Sequence, residues 1–189
     1  MLGRMIPLAP PTTLPQARCR GLSLVEMLVA MGIAAVLLTL GVPSLSGLRA
    51  DWAVRGATAQ VLAGLQLARR TALTTGQSVT LCPTTDGRRC GFPSRRWMLF
   101  ANAEGGSDAR RDAGEPVLRQ WQLDAAVRVS GTRGYAAFQP QTSAAATLTF
   151  VFCHDARPQA GRSLVVSQTG RPRVSPGPPS TSGNPNCRR

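Results

Sequence analysis

The chain has 189 residues, with 22 arginines and no lysine against 9 acidic residues, so its formal net charge is +13. A hydrophobic content of 43% and a mean hydropathy of -0.04 exclude both a polytopic membrane protein and a disordered chain of low hydrophobicity. Five cysteines, four of them downstream of the main apolar segment, indicate an oxidising compartment.

The amino terminus combines a basic leader with an apolar segment. Residues 1–21 contain three arginines, no acidic residue and four prolines. The 21 residues of 22–42 would span about 31 Å as a helix, which matches a hydrocarbon core of about 30 Å. The segment is therefore predicted to cross a membrane once, with the basic leader cytoplasmic and everything after Pro43 outside the cytoplasm.

Glu26 is the one charged residue inside this apolar segment. A carboxylate within a membrane span costs about 2.5 kcal/mol or more, and such a residue is a functional candidate by default. The alternative is that Glu26 lies close enough to the interface for its carboxylate to reach water. Both interpretations stay open on position alone.

The junction between leader and helix matches a known family. Gly21, the following Leu-Ser-Leu-Val-Glu, the apolar helix and Pro43 closely resemble the amino-terminal region of type IV prepilins and type II secretion pseudopilins. The chain departs from most members in having Leu22 where they have Phe. Its leader is also longer than many, so Met1 and Met5 are alternative start residues.

The resemblance implies a role for each matching residue. Prepilin peptidase would cut after Gly21 and N-methylate the new amino terminus, Leu22. The carboxylate of Glu26 would then meet the amine of a neighbouring subunit during filament assembly, and Pro43 is the second expected assembly residue. A buried carboxylate and a buried ammonium are each costly alone, so their pairing between subunits favours docking in one register.

The helix is expected to continue outside the membrane over 43–75. Pro43 either kinks this helix or separates two helices, and both readings stay open. Gly76 is the expected stop. The apolar residues at helical spacing are Val54, Ala57, Val61, Leu65, Ala68 and Ala72.

A β-rich domain is predicted over 76–174, followed by a proline-rich tail over 175–189. The expected fold class is α+β, a pilin-like fold in which a long amino-terminal hydrophobic helix packs on a mostly antiparallel sheet. The alternating segments that predict strands are 78–82, 96–101, 117–123, 126–130, 135–139, 147–154 and 163–167.

The last strand is expected to form a terminal hairpin around Thr169-Gly170. With the paired cysteines and the helix, this hairpin resembles the GspH/FimT branch of the pilin superfamily. The run Gly170-Arg171-Pro172-Arg173 fits the Gly-Arg-x-Arg pattern near the end of FimT-like minor pilins.

Four cysteines remain after Cys19 leaves with the leader, and they allow three complete connectivities. Pairing of nearest neighbours is favoured. Cys82 with Cys90 would close the loop between the first two strands, and Cys153 with Cys187 would fasten the tail over the sheet.

The chain is not expected to be an enzyme, and no cofactor or metal is expected. It has a single histidine, His154, and its cysteines lack the spacing of a zinc ribbon. It also lacks a nucleophile elbow and a Walker lysine.

Two functions stay open. The first is a minor pilin or pseudopilin in a type IV pilus or type II secretion pseudopilus, with prepilin peptidase, other subunits and inner-membrane lipid as partners. Its carboxy-terminal domain would be periplasmic before the chain enters a filament.

The second possible function is capture of double-stranded DNA for uptake, as FimT-like members do. The binding residues would be Arg171 and Arg173 at Gly170, with support from Arg162. Without the three leader arginines, 19 arginines face 9 acidic residues, a formal charge of +10.

Overall fold

The computed structural model describes residues 23–103, 108–140, 147–177 and 187, and over 39–45 it describes the backbone only. The chain forms two compact units, Met1–Gly41 and Val42–Arg189. The described part of the first unit is the start of a helix, and the second unit holds the rest of that helix and the strands.

The elements confirm the predicted α+β class. Among the described residues, one helix precedes eight strands, and all the pairings between these strands are antiparallel. The elements in chain order are α1 (Leu24–Thr75), β1 (Ser78–Pro83), β2 (Arg96–Asn102), β3 (Val117–Gln122), β4 (Val127–Gly131), β5 (Ala136–Phe138), β6 (Leu148–His154), β7 (Arg162–Val166) and β8 (Pro172–Pro176).

The strands form two sheets where the sequence predicts one. The first sheet has the order β3-β2-β1-β5 and the second has the order β4-β6-β7-β8. The difference arises at β1, which pairs with β2 on one side and with β5 on the other, so β4 joins the second sheet instead. Alternation along a strand predicts its faces but not its partners, because pairing is decided by contacts distant in sequence.

The predicted apolar stripe of α1 faces the main core. All six stripe residues are buried, and they share one hydrophobic cluster with side chains of both sheets. The largest of the fully buried side chains in that cluster are Trp97, Phe138, Phe150, Phe152, Leu65 and Leu81. Fully burying a large apolar side chain stabilises the fold by about 1.5–3 kcal/mol. This cluster is therefore a main source of stability for the second unit.

Each sheet is also covered on the face away from the main core. Met98 and Phe100 of β2 point away from the core that holds Trp97 and Leu99, as the two-residue period of a strand requires. They pack with Cys82, Cys90 and Tyr135. On the second sheet Val151 packs with Cys153 and Cys187 in the same way. Both outer clusters therefore form around cysteines.

The carboxy-terminal strand extends into the segment that the sequence assigns to a tail from residue 175. Ser175 and Pro176 belong to β8 and pair with Ser163 and Arg162 of β7. The segment lacks an apolar period because β8 is an edge strand, and backbone pairing at an edge does not require one. The rest of the tail, apart from Gly177 and Cys187, lies outside the described residues.

Gly64 lets the helix approach the first sheet closely. A Cβ at this position would lie 2.7 Å from Cη2 of Trp121 and 3.3 Å from Cδ2 of Leu81. The Trp121 ring stacks on the fully buried Trp97, with ring centroids 6.4 Å apart, so it has little room to retreat. By contrast, a Cβ at Gly56 would meet nothing within 4 Å.

We expect Gly64→Ala to destabilise the protein and Gly56→Ala to stabilise it. Both changes improve helix propensity by about 1 kcal/mol, but overpacking against the tryptophans costs about 1–3 kcal/mol at Gly64 only. Urea unfolding of the full chain, followed by tryptophan fluorescence, measures the two shifts. Shifts of the same sign would show that the contact between helix and sheet is not tight at Gly64.

Candidate functional site

The first part of α1 carries large apolar side chains that are exposed. Their exposed fractions range from 53% to 77%, and they lie all around the helix. The residues are Leu24, Val25, Met27, Leu28, Val29, Met31, Ile33, Val36, Leu37 and Leu38. The sequence predicts a membrane-spanning segment over 22–42, whereas within the described residues no helix has the length and apolarity needed to cross a membrane.

Glu26 lies in the first turn of this helix, and its side chain is exposed. Its backbone N–H donates to Oγ of Ser23 at 3.2 Å, and the N–H of Met27 donates to the Ser23 carbonyl at 3.1 Å. Ser23 is thus the helix cap, and a carboxylate in the first turn interacts favourably with the helix dipole. The pattern Ser-x-x-Glu predicts such a cap, so Ser23 could have been identified from the sequence alone.

The remaining residues of the predicted processing and assembly site are not described. Gly21 and Leu22 lie outside the described residues, and so does the side chain of Pro43. The backbone of α1 includes position 43 as part of one helix, Leu24–Thr75. The predicted cleavage, methylation and assembly roles of these three residues therefore stay predictions.

Both disulfides are those that nearest-neighbour pairing predicts. Cys82 bonds to Cys90 and Cys153 bonds to Cys187, and the Cα atoms are 5.4 Å apart in each pair. Cys187 is buried, and the nearby Gly161 has space for no side chain, since a Cβ there would lie 2.8 Å from Sγ of Cys187. The second bridge thus joins the carboxy-terminal end of the chain to β6.

The predicted basic hairpin forms between β7 and β8. Gly170 has a φ of +70°, which favours glycine, and its N–H donates to the Ser167 carbonyl at 2.8 Å. Arg171 and Arg173 are exposed, and within the described ranges neither guanidinium has a hydrogen-bond or ion-pair partner. Because they are two residues apart on an extended segment, they lie on one face.

Arg162 does not join these two arginines. It begins β7, at the end of the hairpin away from the turn, and pairs with Pro176. Its Nη2 lies 4.0 Å from Oδ1 of Asp51 on α1, and only 23% of its side chain is exposed. Asp51 also accepts from Nε of Arg55 at 2.6 Å. Arg162 therefore lies between the second sheet and the helix, and its contacts there give it a structural role.

His154 and Glu115 accept hydrogen bonds from nearby backbone N–H groups. Nδ1 of His154 accepts the N–H of Ala156 at 3.2 Å, which closes a turn. The buried Glu115 accepts the N–H groups of Ala103 and Asp112, both at 2.8 Å, beside a cleft of about 930 Å³. Across the part of the chain that the structure describes, no three potential metal ligands come together. The hydrogen bonds of His154 and Glu115 therefore stabilise turns and loops.

Two family models match the chain. The model described as Type II transport protein GspH matches residues 57–170, which is more than half of the chain. The model described as Prokaryotic N-terminal methylation motif matches residues 16–42. A search of curated proteins found no match.

Solved structures provide a similar fold. The type IV minor pilin FimU of Pseudomonas aeruginosa is 21% identical, and the match covers 71% of this chain and 95% of FimU at a TM-score of 0.51. A second crystal form of FimU matches over 71% and 99% of the two chains, with 21% identity and a TM-score of 0.50. The minor pseudopilin EpsH of the Vibrio cholerae type 2 secretion system is 12% identical over 65% and 96%, and its TM-score of 0.47 is too low to support an inference. The likeness to FimU concerns the fold alone.

Proposed function

The chain belongs to the type II transport protein GspH family, and from this we propose that it is a minor pseudopilin or pilin that joins a filament. The filament would belong to a type II secretion system or a type IV pilus. The observation that carries the proposal is the pair of family matches, the first over 57–170 and the second over the amino-terminal motif at 16–42.

The exposed apolar side chains of α1 support a role in assembly. Ten large apolar residues between Leu24 and Leu38 are at least half exposed, far more than an isolated soluble protein leaves uncovered. Lipid of the inner membrane would cover them before assembly, and helices of neighbouring subunits would cover them afterwards. The periplasmic second unit would then be held at the filament surface.

Glu26 would select the docking register. Its carboxylate is near the start of the helix, where the amine of a neighbouring Leu22 would be available after cleavage behind Gly21. The Ser23 cap holds the first turn in helical form, so the carboxylate is presented at a defined position. Pro43 would lie where the apolar part of the helix gives way to the second unit.

Deletion of the gene and complementation with the full chain test the proposal. Loss of extracellular enzymes from the medium with intact pili would identify a secretion pseudopilus, and loss of pili or twitching motility with intact secretion would identify a type IV pilus. Fractionation of sheared filaments from complemented cells should recover the chain. Normal secretion and piliation in the deletion strain, with no chain in any filament, would refute the proposal.

DNA capture stays a prediction from the sequence, and no comparison supports it. Arg171 and Arg173 are exposed together, but Arg162 is engaged near Asp51 and lies away from them. A DNA-binding hairpin would therefore have two phosphate-contacting arginines, not three.

A further inference from the structure

Arginines from separate chain segments meet beside the Cys82–Cys90 disulfide. The N–H of Cys90 donates to the Ala109 carbonyl at 3.0 Å, and Arg89 and Arg110 are direct partners in an isolated antiparallel bridge. Side chains of directly paired residues in such a bridge lie on one face, with Cβ atoms about 5 Å apart. The side chains of Arg89 and Arg110 therefore leave the backbone from the same face of the bridge.

A third segment adds another arginine. The turn before β5 packs on the disulfide loop, since a Cβ at Gly134 would lie 3.2 Å from Cα of Gly91. Arg133 precedes that glycine and is exposed. We call the exposed arginines of these three segments the arginine patch: Arg88, Arg89, Arg110 and Arg133.

The disulfide loop holds the patch in a defined shape. A carboxylate oxygen of Asp86 accepts the N–H groups of Arg88 and Arg89, both at 2.8 Å. The backbone amides of Arg89 and Arg88 hold the pKa of Asp86 below its ordinary value. This carboxylate is therefore hydrogen-bonded within the loop in its ionised form. Arg111 fastens the other segment, since its Nη1 donates to the Glu115 carbonyl at 2.9 Å.

Among the described residues, only one arginine of the patch has an ion-pair partner. Arg110 has Asp112 at 3.5 Å, but both side chains are about half exposed, so the pair is weak. Within the described ranges, the guanidinium groups of Arg88, Arg89 and Arg133 have no ion-pair or hydrogen-bond partner. Like charges placed directly opposite are unfavourable in an isolated chain, which indicates an anionic partner.

The composition of the patch favours a folded protein as that partner. Tyr135 packs half-buried against the disulfide cluster beside Arg133, and arginine with tyrosine is the pairing that protein interfaces enrich. A rigid, disulfide-braced surface suits a partner of fixed shape. Without residues 1–21 the chain would carry a charge of +10 and would repel copies of itself, which favours neighbours that supply negative charge.

We propose that the arginine patch docks an acidic surface of a different, neighbouring subunit in the filament. This inference rests on the proposed function, because it takes the partner to be another filament subunit. Arginine forks bind carboxylates through two parallel hydrogen bonds, so the patch would set the orientation of this subunit against its neighbour.

Photo-crosslinking in filaments tests the proposal. A photoreactive phenylalanine analogue placed at the exposed Thr85 in the full chain should crosslink to an acidic peptide of another subunit. Arg89→Gln with Arg110→Gln should lower the crosslink yield by about tenfold, and added salt should lower it for the unaltered chain. Arg70→Gln with Arg119→Gln removes the same charge from exposed positions outside the patch and should leave the yield unchanged.

The outcomes separate this inference from the proposed function. If the wild-type chain enters filaments but crosslinks to lipid, nucleic acid, its own copies or a non-acidic peptide, the proposed docking of the patch is refuted. The proposed function is not affected by that result. Equal loss of crosslinking in both double variants would also refute it. Absence of the wild-type chain from filaments would refute both. Nonreducing peptide mapping of each variant verifies that the Cys82–Cys90 bridge, and hence the loop, is intact.

Discussion

Glu26→Gln should keep the chain in the inner membrane and exclude it from filaments. Removing one partner of a buried ion pair costs about 3–5 kcal/mol, because the other charge is left unpaired. Incorporation into filaments should therefore fall by about a hundredfold or more, whereas the neutral side chain makes membrane insertion no harder. Quantitative immunoblots of sheared filaments and of washed membranes measure the two quantities in the same cells.

The choice of glutamine separates ion pairing from helix capping. Glutamine serves at the third helical position of a capping box as glutamate does, so the Ser23 cap survives in Glu26→Gln. Ser23→Ala is the matched control, since it costs the helix about 1 kcal/mol but keeps the carboxylate. The control should enter filaments nearly normally. If Ser23→Ala fails in assembly while Glu26→Gln succeeds, Glu26 acts through the cap and the pairing mechanism is wrong.

Removing the long-range disulfide should destabilise the second unit more than removing the local one. The bridges span sequence separations of 34 and 8 residues. The chain-entropy model then gives a loss of about 4 kcal/mol for Cys153→Ala with Cys187→Ala, and about 2.5 kcal/mol for Cys82→Ala with Cys90→Ala. Urea unfolding of the full chain, followed by tryptophan fluorescence, measures both losses.

The two disulfide variants are matched controls for each other. Each removes one bridge that lies in a cluster on the outer face of a sheet, and alanine leaves no buried polar group in either case. The contrast between them therefore reports mainly the length of the closed loop. A larger loss from the local bridge would mean that packing in the Cys82–Cys90 cluster outweighs the entropy of loop closure.

Most of the fold was predictable because its signals are local. The stripe from Val54 to Ala72 follows the 3.6-residue period of a helix, and all six of its residues are buried. Alternating segments of the sequence predict the strands, and each predicted strand overlaps an observed one. The division into two sheets was not predictable in this way, since β1 pairs with β5 across three intervening strands.

The candidate sites also differ in whether their signal is local in the sequence or depends on contacts between distant residues. Glu26 was found because one charge in an apolar run is visible in the sequence alone. The placement of Arg162 near Asp51 was missed, since the two residues are far apart in the chain and meet only after β7 packs near α1. The arginine patch was missed for the same reason, because folding brings Arg89, Arg110 and Arg133 together from three segments.

The most direct test of the central claim is intact mass and amino-terminal peptide analysis of the full-length gene product, extracted from the inner membrane of its native host. The family motif at 16–42 predicts a chain that begins at Leu22 with one added methyl group and keeps the apolar helix. A host strain without prepilin peptidase should yield the uncut form, which serves as the control. A product in the native host that retains residues 1–21, or one that begins after Val42 and so has lost the helix, would contradict the account.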